Sequence, residues 1–138
     1  MILADTSGLL ALLDSGEPEH RLVSRAIEKE RGPLVVIDVV LAETDYLIRT
    51  RLGREAARAF LDQVLEGVFL REEVTDGDLR RAAEIDDRYR DQDHGLTDAC
   101  LMAVAERLSR RVLTLDRRHF EPFRTKKGNP LELLPARS

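Results

Sequence analysis

The sequence predicts an α/β fold, a three-layer α/β/α sandwich around a central, mostly parallel sheet. Three observations predict it. Short apolar runs, such as residues 1–4 and 34–37, alternate with longer segments of helical periodicity along the whole chain. These runs are continuous rather than alternating with polar residues, as expected of strands buried on both faces. Each is followed by residues that open a helix or turn, the order that builds a parallel sheet with helices on both faces. At 138 residues, 43% hydrophobic and 35% charged, the chain fits one domain, residues 1–138, with a sizeable core.

The elements follow in order. Residues 1–4 read as a buried strand that delivers Asp5 to its carboxyl end, with Thr6 or Ser7 placed to cap the helix of residues 7–13. Glu17, Pro18 and Glu19 open a second helix with Leu22, Val23, Ala26 and Ile27 as its apolar stripe, and Gly32-Pro33 stops it. Residues 34–37 form the second strand. Asp38 can cap a helix over 39–52 ended by Gly53, and another helix covers 54–66. Residues 68–70 read as a third strand. Thr75 caps a helix to about Arg90, with Asp78 completing a capping box and Leu79, Ala82, Ala83 and Tyr89 facing the core. After a polar loop over 91–95, residues 96–109 form the most apolar helix, hence a central one. Residues 111–116 read as a fourth strand followed by a tight turn over 116–120. The last strand, 131–134, is bracketed by Pro130 and Pro135, which suits a sheet edge.

Composition excludes several classes. No run of 18 uncharged apolar residues occurs, so a membrane span is excluded. The N-terminus has no signal-peptide pattern, and the single cysteine, Cys100, cannot form an internal disulfide; a cytoplasmic location is expected. Cys100 itself reads as a packing thiol. The net charge of −4 is uneven. Residues 107–138 carry 9 Lys/Arg against 3 Asp/Glu, a balance of +6 that leaves −10 on residues 1–106. A basic region beside an acidic body is compatible with a polyanion held near a cation pocket, though solvated surface charge explains it as well.

Four acids stand out. Asp5 ends the first strand, Glu43 lies among apolar neighbours early in a helix, Asp98 sits in the first turn of the most apolar helix, and Asp116 ends the fourth strand. In a parallel sheet, strand ends and the following helix starts share one edge, where ligands bind in open α/β sheets. All four acids therefore converge. Singly, Asp5, Asp116 and Asp98 have ordinary readings as a cap, a turn residue or a helix-dipole partner, whereas Glu43 is the hardest to dismiss, since acids seldom sit amid such apolar neighbours unpartnered. Jointly they crowd like charges that raise one another's pKa unless a cation intervenes. Oxygen-only ligands suit a hard ion, Mg²⁺ or Mn²⁺, and such an ion supports phosphodiester hydrolysis by metal-activated water. Thr6, Ser7 and Thr114 are candidates to hydrogen-bond these acids. Arg117 and Arg118 are candidates to clamp phosphate, or else form a solvated turn. His119 could serve phosphate or proton transfer, although a turn histidine more often does neither; His20 and His94 have no supporting neighbours, and Asp91 and Asp93 are at most peripheral ligands. A phosphatase with an aspartyl nucleophile would want an acid two residues after Asp5, where Ser7 stands.

The stretches that carry these acids resemble a known family. Asp5-Thr6-Ser7 after a strand, Val40-Leu41-Ala42-Glu43, Gly95-Leu96-Thr97-Asp98-Ala99 and Leu113-Thr114-Leu115-Asp116-Arg117-Arg118-His119-Phe120 resemble the PIN-domain ribonucleases, most of all the VapC-type toxins of toxin–antitoxin pairs. The resemblance covers essentially the whole chain. It implies an α/β/α sandwich whose acidic pocket, here Asp5, Glu43, Asp98 and Asp116, binds Mg²⁺ or Mn²⁺ and cuts single-stranded RNA, leaving a 5′-phosphate and a 3′-hydroxyl. By the same resemblance, Asp5 and Asp98 are direct ligands, while Glu43 and Asp116 contact the metal directly or through water. It also implies a homodimer and a cognate antitoxin that inserts side chains into the pocket. The alternative is a PIN-like module that binds RNA or a protein partner without cutting.

Overall fold

A computed structural model describes residues 1–137. Its sheet has five strands, all parallel: β1 (Ile2–Ala4), β2 (Leu34–Ile37), β3 (Leu70–Glu72), β4 (Arg111–Leu113) and β5 (Glu132–Leu134), in the order β3-β2-β1-β4-β5. The helices are α1 (Thr6–Leu13), α2 (His20–Lys29), α3 (Asp38–Leu52), α4 (Arg54–Leu65), α5 (Asp76–Arg88), α6 (Leu96–Leu108) and α7 (Arg117–Phe120). The chain steps from β1 to β3 in one direction and crosses back before β4 and β5. With right-handed crossovers, that reversal puts α1–α4 on one face and α5–α7 on the other. The packing agrees: α1 lies on α2 and α3, α3 on α4, and α5 on α6. No helix is long and apolar enough to cross a membrane.

The core follows from the runs read above. β1 and β2 are buried along their whole length, and α6 buries residues 99–105 continuously. In α3 the buried residues are Val40, Thr44 and Ile48, spaced four apart along one stripe. Gly53, at φ 98°, closes α3 and starts α4 without a break, a conformation that costs a glycine little.

Several sequence expectations are corrected. β3 begins two residues later than expected, because Phe69 is the one buried side chain of the 68–70 run and the strand itself is a largely exposed edge. Leu22, Leu79 and Ala83 face solvent, off the buried stripes set by Val23 and by Ala82 and Ile85. Pro18 lies in the turn ahead of α2 rather than inside it. Asp38 is the first helical residue and not a cap; its carboxylate accepts the Val74 N–H at 3.3 Å. The expected turn over 116–120 is the short helix α7.

The capping box of Thr75 and Asp78 forms as expected, and Asp78 does more. Its buried carboxylate takes two hydrogen bonds from Arg107, 3.0 Å from Nε and 2.8 Å from Nη2, which ties α5 to α6. Burial alone would raise the Asp78 pKa, but the bonds from Arg107 and Thr75 outweigh it and hold the group below its usual value. Arg107→Ala is expected to cost about 3 kcal/mol in urea unfolding at pH 7, since it strands a buried carboxylate. Because the depressed pKa contributes stability above the unfolded value and loses it as pH falls, the deficit should shrink in acid.

Candidate metal centre

β1 and β4 lie side by side at the point where the strand order reverses, the place where α/β sheets open a crevice at their carboxyl ends. Asp5 follows β1 directly. Its N–H donates to the Leu113 carbonyl at 2.9 Å, which locks the end of β1 to β4. The Asp5 side chain is buried, and one oxygen, Oδ2, accepts from Ser7 Oγ at 2.9 Å and from Thr114 Oγ1 at 2.8 Å. Both hydroxyls in turn accept a backbone N–H, Ser7 from Leu115 at 2.9 Å and Thr114 from Asp116 at 2.9 Å. The two hydroxyls thus aim their protons at Asp5 and fix the backbone that carries Asp116. Neither Thr6 nor Ser7 caps α1, contrary to the expectation above; Asp5 occupies the cap position, and the Thr6 hydroxyl is buried with no partner.

Asp98, in the first turn of α6, faces the same crevice, a cleft of about 570 Å³ lined also by Asp5, Thr6, Ser7, Glu43, Asp116 and His119. All four acids named from the sequence line it. Glu43 does so from an exposed position, one step off the buried stripe of α3. The charges respond to one another. Burial pushes the Asp98 pKa up to about 6, the Asp5 charge adds to this, and contact with His119 opposes it. Burial also raises Asp5, against its hydrogen bonds from Thr114 and Ser7, and the Asp116 charge raises it further. Carboxylates that resist ionising together in a water-accessible cleft are a donor set that fits a hard dication.

A model of the PIN domain family matches residues 2–124. The chain belongs to the PIN-domain family. This PIN domain is 38% identical over 135 residues to Ribonuclease VapC26 of Mycobacterium tuberculosis, across 97% of this chain and 100% of that protein. It is similar in structure to M. tuberculosis VapC20, described as a sarcin-ricin-loop-cleaving toxin, with a TM-score of 0.79 and 26% identity, covering 86% of this chain and 92% of that one. It shares its fold with DNA-bound VapBC from Salmonella typhimurium, at a TM-score of 0.68 and 17% identity over 96% and 98% of the two chains. These relatives identify the chain as a VapC-type PIN domain.

Two side chains of the PIN domain's cleft had little weight in the sequence. His119, on α7, places Nδ1 3.2 Å from Asp98 Oδ2 and 2.9 Å from Asp116 Oδ2, so one imidazole spans two of the acids. Its spacing of three residues from Asp116 was the available signal, but only a helical turn makes that spacing a contact. Arg51, from the last turn of α3, is the one arginine of the lining among the described residues, and it also pairs with Glu17 at 3.3 Å. The arginines expected to clamp phosphate divide. Arg117 is committed elsewhere: it bonds the carbonyls of Leu133 and Pro135 and pairs with Glu121, bracing β5 outside the cleft. Arg118 is exposed and is absent from the cleft lining. His20 bonds the Ala11 carbonyl at 2.8 Å, Asp91 and Asp93 are exposed outside the cleft, and Cys100 is fully buried.

The raised Asp98 pKa has a consequence for the metal-free protein. A carboxyl whose folded pKa lies above its unfolded value contributes most below the unfolded value of 3.8 and loses that contribution as pH rises through about 6. In EDTA at pH 7.5, Asp98→Asn should therefore melt above wild type, by roughly 5 °C for a gain on the order of 2 kcal/mol. The two proteins should converge at pH 4. Melting curves at the two pH values check this.

Proposed function

We propose that this PIN domain is a metal-dependent endoribonuclease that cleaves single-stranded RNA, and that it acts as the toxin of a type II toxin–antitoxin pair. The observation that carries the reading is the convergence of Asp5, Asp98 and Asp116 in one cleft, with two of these acids held above their ordinary pKa. The names of its relatives, a ribonuclease and an RNA-cleaving toxin, support the substrate class. Asp5 and Asp98 would hold Mg²⁺ or Mn²⁺ directly, with Asp116 and Glu43 completing its surroundings directly or through water. The ion, when bound, supplies a water acidic enough to attack phosphorus near neutral pH and offsets charge on the phosphoryl oxygens.

The rest of the work falls to the chain. Ser7 and Thr114 hold the Asp5 carboxylate in one orientation through two donated protons. His119 fixes Asp98 against Asp116. Arg51, a guanidinium on the cleft lining, would meet the RNA backbone. Two structures of the same fold are described as toxin–antitoxin or VapBC complexes, which supports a protein antitoxin as a partner; its insertion into this cleft, a homodimer and a cytoplasmic location are proposed on the resemblance alone.

Purified protein should cut RNA in Mg²⁺ or Mn²⁺, stop in EDTA, and leave 5′-phosphate and 3′-hydroxyl ends. RNA bound but uncut in both ions would favour the alternative, a module that docks RNA or a partner without chemistry.

A further inference from the structure

We infer that His94, Asp98 and His119 form a second cation site, built for a Zn²⁺-class ion, beside the acid cleft and sharing the Asp98 carboxylate with it. The argument starts from His94. It immediately precedes Gly95, the N-cap of α6, and its side chain is 4% exposed. Neither ring nitrogen has a hydrogen-bond partner. An imidazole always carries at least one N–H donor, and in its neutral form one free lone pair, so a buried ring with both atoms unmatched is a costly way to fill space. A packing role alone would be met more cheaply by an apolar side chain.

The unmatched ring has company. One ligand atom each from His94, Asp98 and His119 lie within 4.8 Å of one another, and the Asp98–His119 pair is already at 3.2 Å. Tetrahedral Zn²⁺, with bonds of about 2.0–2.1 Å, holds its ligand atoms roughly 3.3 Å apart. The remaining closure is thus a side-chain adjustment of about 1.5 Å or less. The His94 ring stands edge-on to His119, with centroids 5.4 Å apart at 86°.

The donor chemistry selects the ion. Two imidazoles and one carboxylate suit a borderline cation such as Zn²⁺ or Co²⁺, whereas Mg²⁺ prefers oxygen ligands and water. Three protein ligands leave a fourth position for water or for Asp116, whose Oδ2 lies 2.9 Å from His119 Nδ1. The two imidazoles set the site apart chemically from the all-oxygen acids, while Asp98 and Asp116, both within 3.2 Å of His119 Nδ1, lie between the two.

Co²⁺ reports on this directly. Metal-free full-length protein in excess Mg²⁺ is titrated with Co²⁺, and the visible absorption of imidazole-bound cobalt is followed. One equivalent should bind, and Zn²⁺ should displace it. His119→Ala, at a half-exposed position, and His94→Gln should each weaken Co²⁺ binding by about 10- to 100-fold. Melting curves of both variants verify that the fold is retained, and the His119 variant decides the matter if the buried substitution unfolds the chain. Asp5→Asn should stay within a few-fold of wild type. Unchanged Co²⁺ affinity in His119→Ala would overturn the site. So would a loss in Asp5→Asn as large as that in the histidine variants, because the ion would then be sitting in the acid cleft.

Discussion

Asp5→Asn is expected to lower RNA cleavage by at least about 100-fold while leaving the protein folded. Asparagine keeps the shape of the side chain, and its amide oxygen can still accept the protons of Ser7 and Thr114, now at Oδ2. What disappears is the negative charge that a dication needs. The charge is also what burial and Asp116 disfavour, so the metal-free variant should be no less stable than wild type. A cleavage assay in saturating Mg²⁺, paired with a melting curve, separates the two effects. Full activity in the folded variant would remove Asp5 from the metal's surroundings, and with it the proposed reaction. Loss of activity with loss of fold would instead assign Asp5 to the architecture of the β1–β4 junction.

Gly8→Ala is expected to give the largest loss of stability of any methyl-sized change near the cleft. A Cβ on Gly8 would come within 2.6 Å of the Leu113 carbonyl oxygen and 2.7 Å of Leu113 Cγ. These atoms belong to β4, which is hydrogen-bonded on both sides and cannot move alone. Relief requires lifting α1 off the sheet, a cost at the upper end of the about 1–3 kcal/mol typical of overpacking, or beyond it. Lifting α1 also carries Ser7 away from Asp5 and from the Leu115 N–H. Urea unfolding should show a midpoint well below wild type, and residual activity should fall more than the folded fraction does. A variant as stable as wild type would mean that α1 and β4 approach less closely than described.

The parallel α/β arrangement was legible because β1 and β2 are buried on both faces and so announce themselves as unbroken apolar runs. The same signal found β3 but misplaced its start by two residues. Its residues Leu70, Arg71 and Glu72 form a mostly exposed edge, and an edge strand need not be apolar. The meeting of the four acids was legible for a topological reason, since every strand end of a parallel sheet faces one way. Their individual environments were not. Glu43 reads as buried from its neighbours Val40 and Leu41, yet it falls one position short of the stripe that ends up inside. His119 and His94 were hidden for a different reason. One is placed by a single turn of helix and the other is buried in a loop, and neither has a period to detect. The engagement of Arg117 by backbone carbonyls near β5 was not legible, since composition cannot reveal it.

The bond from Thr114 to Asp5 joins residues 109 apart in the chain. A polypeptide that ends before β4 has made Asp5, Glu43 and Asp98 but lacks the Thr114 hydroxyl, one of the two that orient Asp5, and has no fourth acid beside it. For a protein with the proposed activity, a complete acid set arises only when nearly all of the chain is available to fold, and an interrupted translation product is expected to lack it.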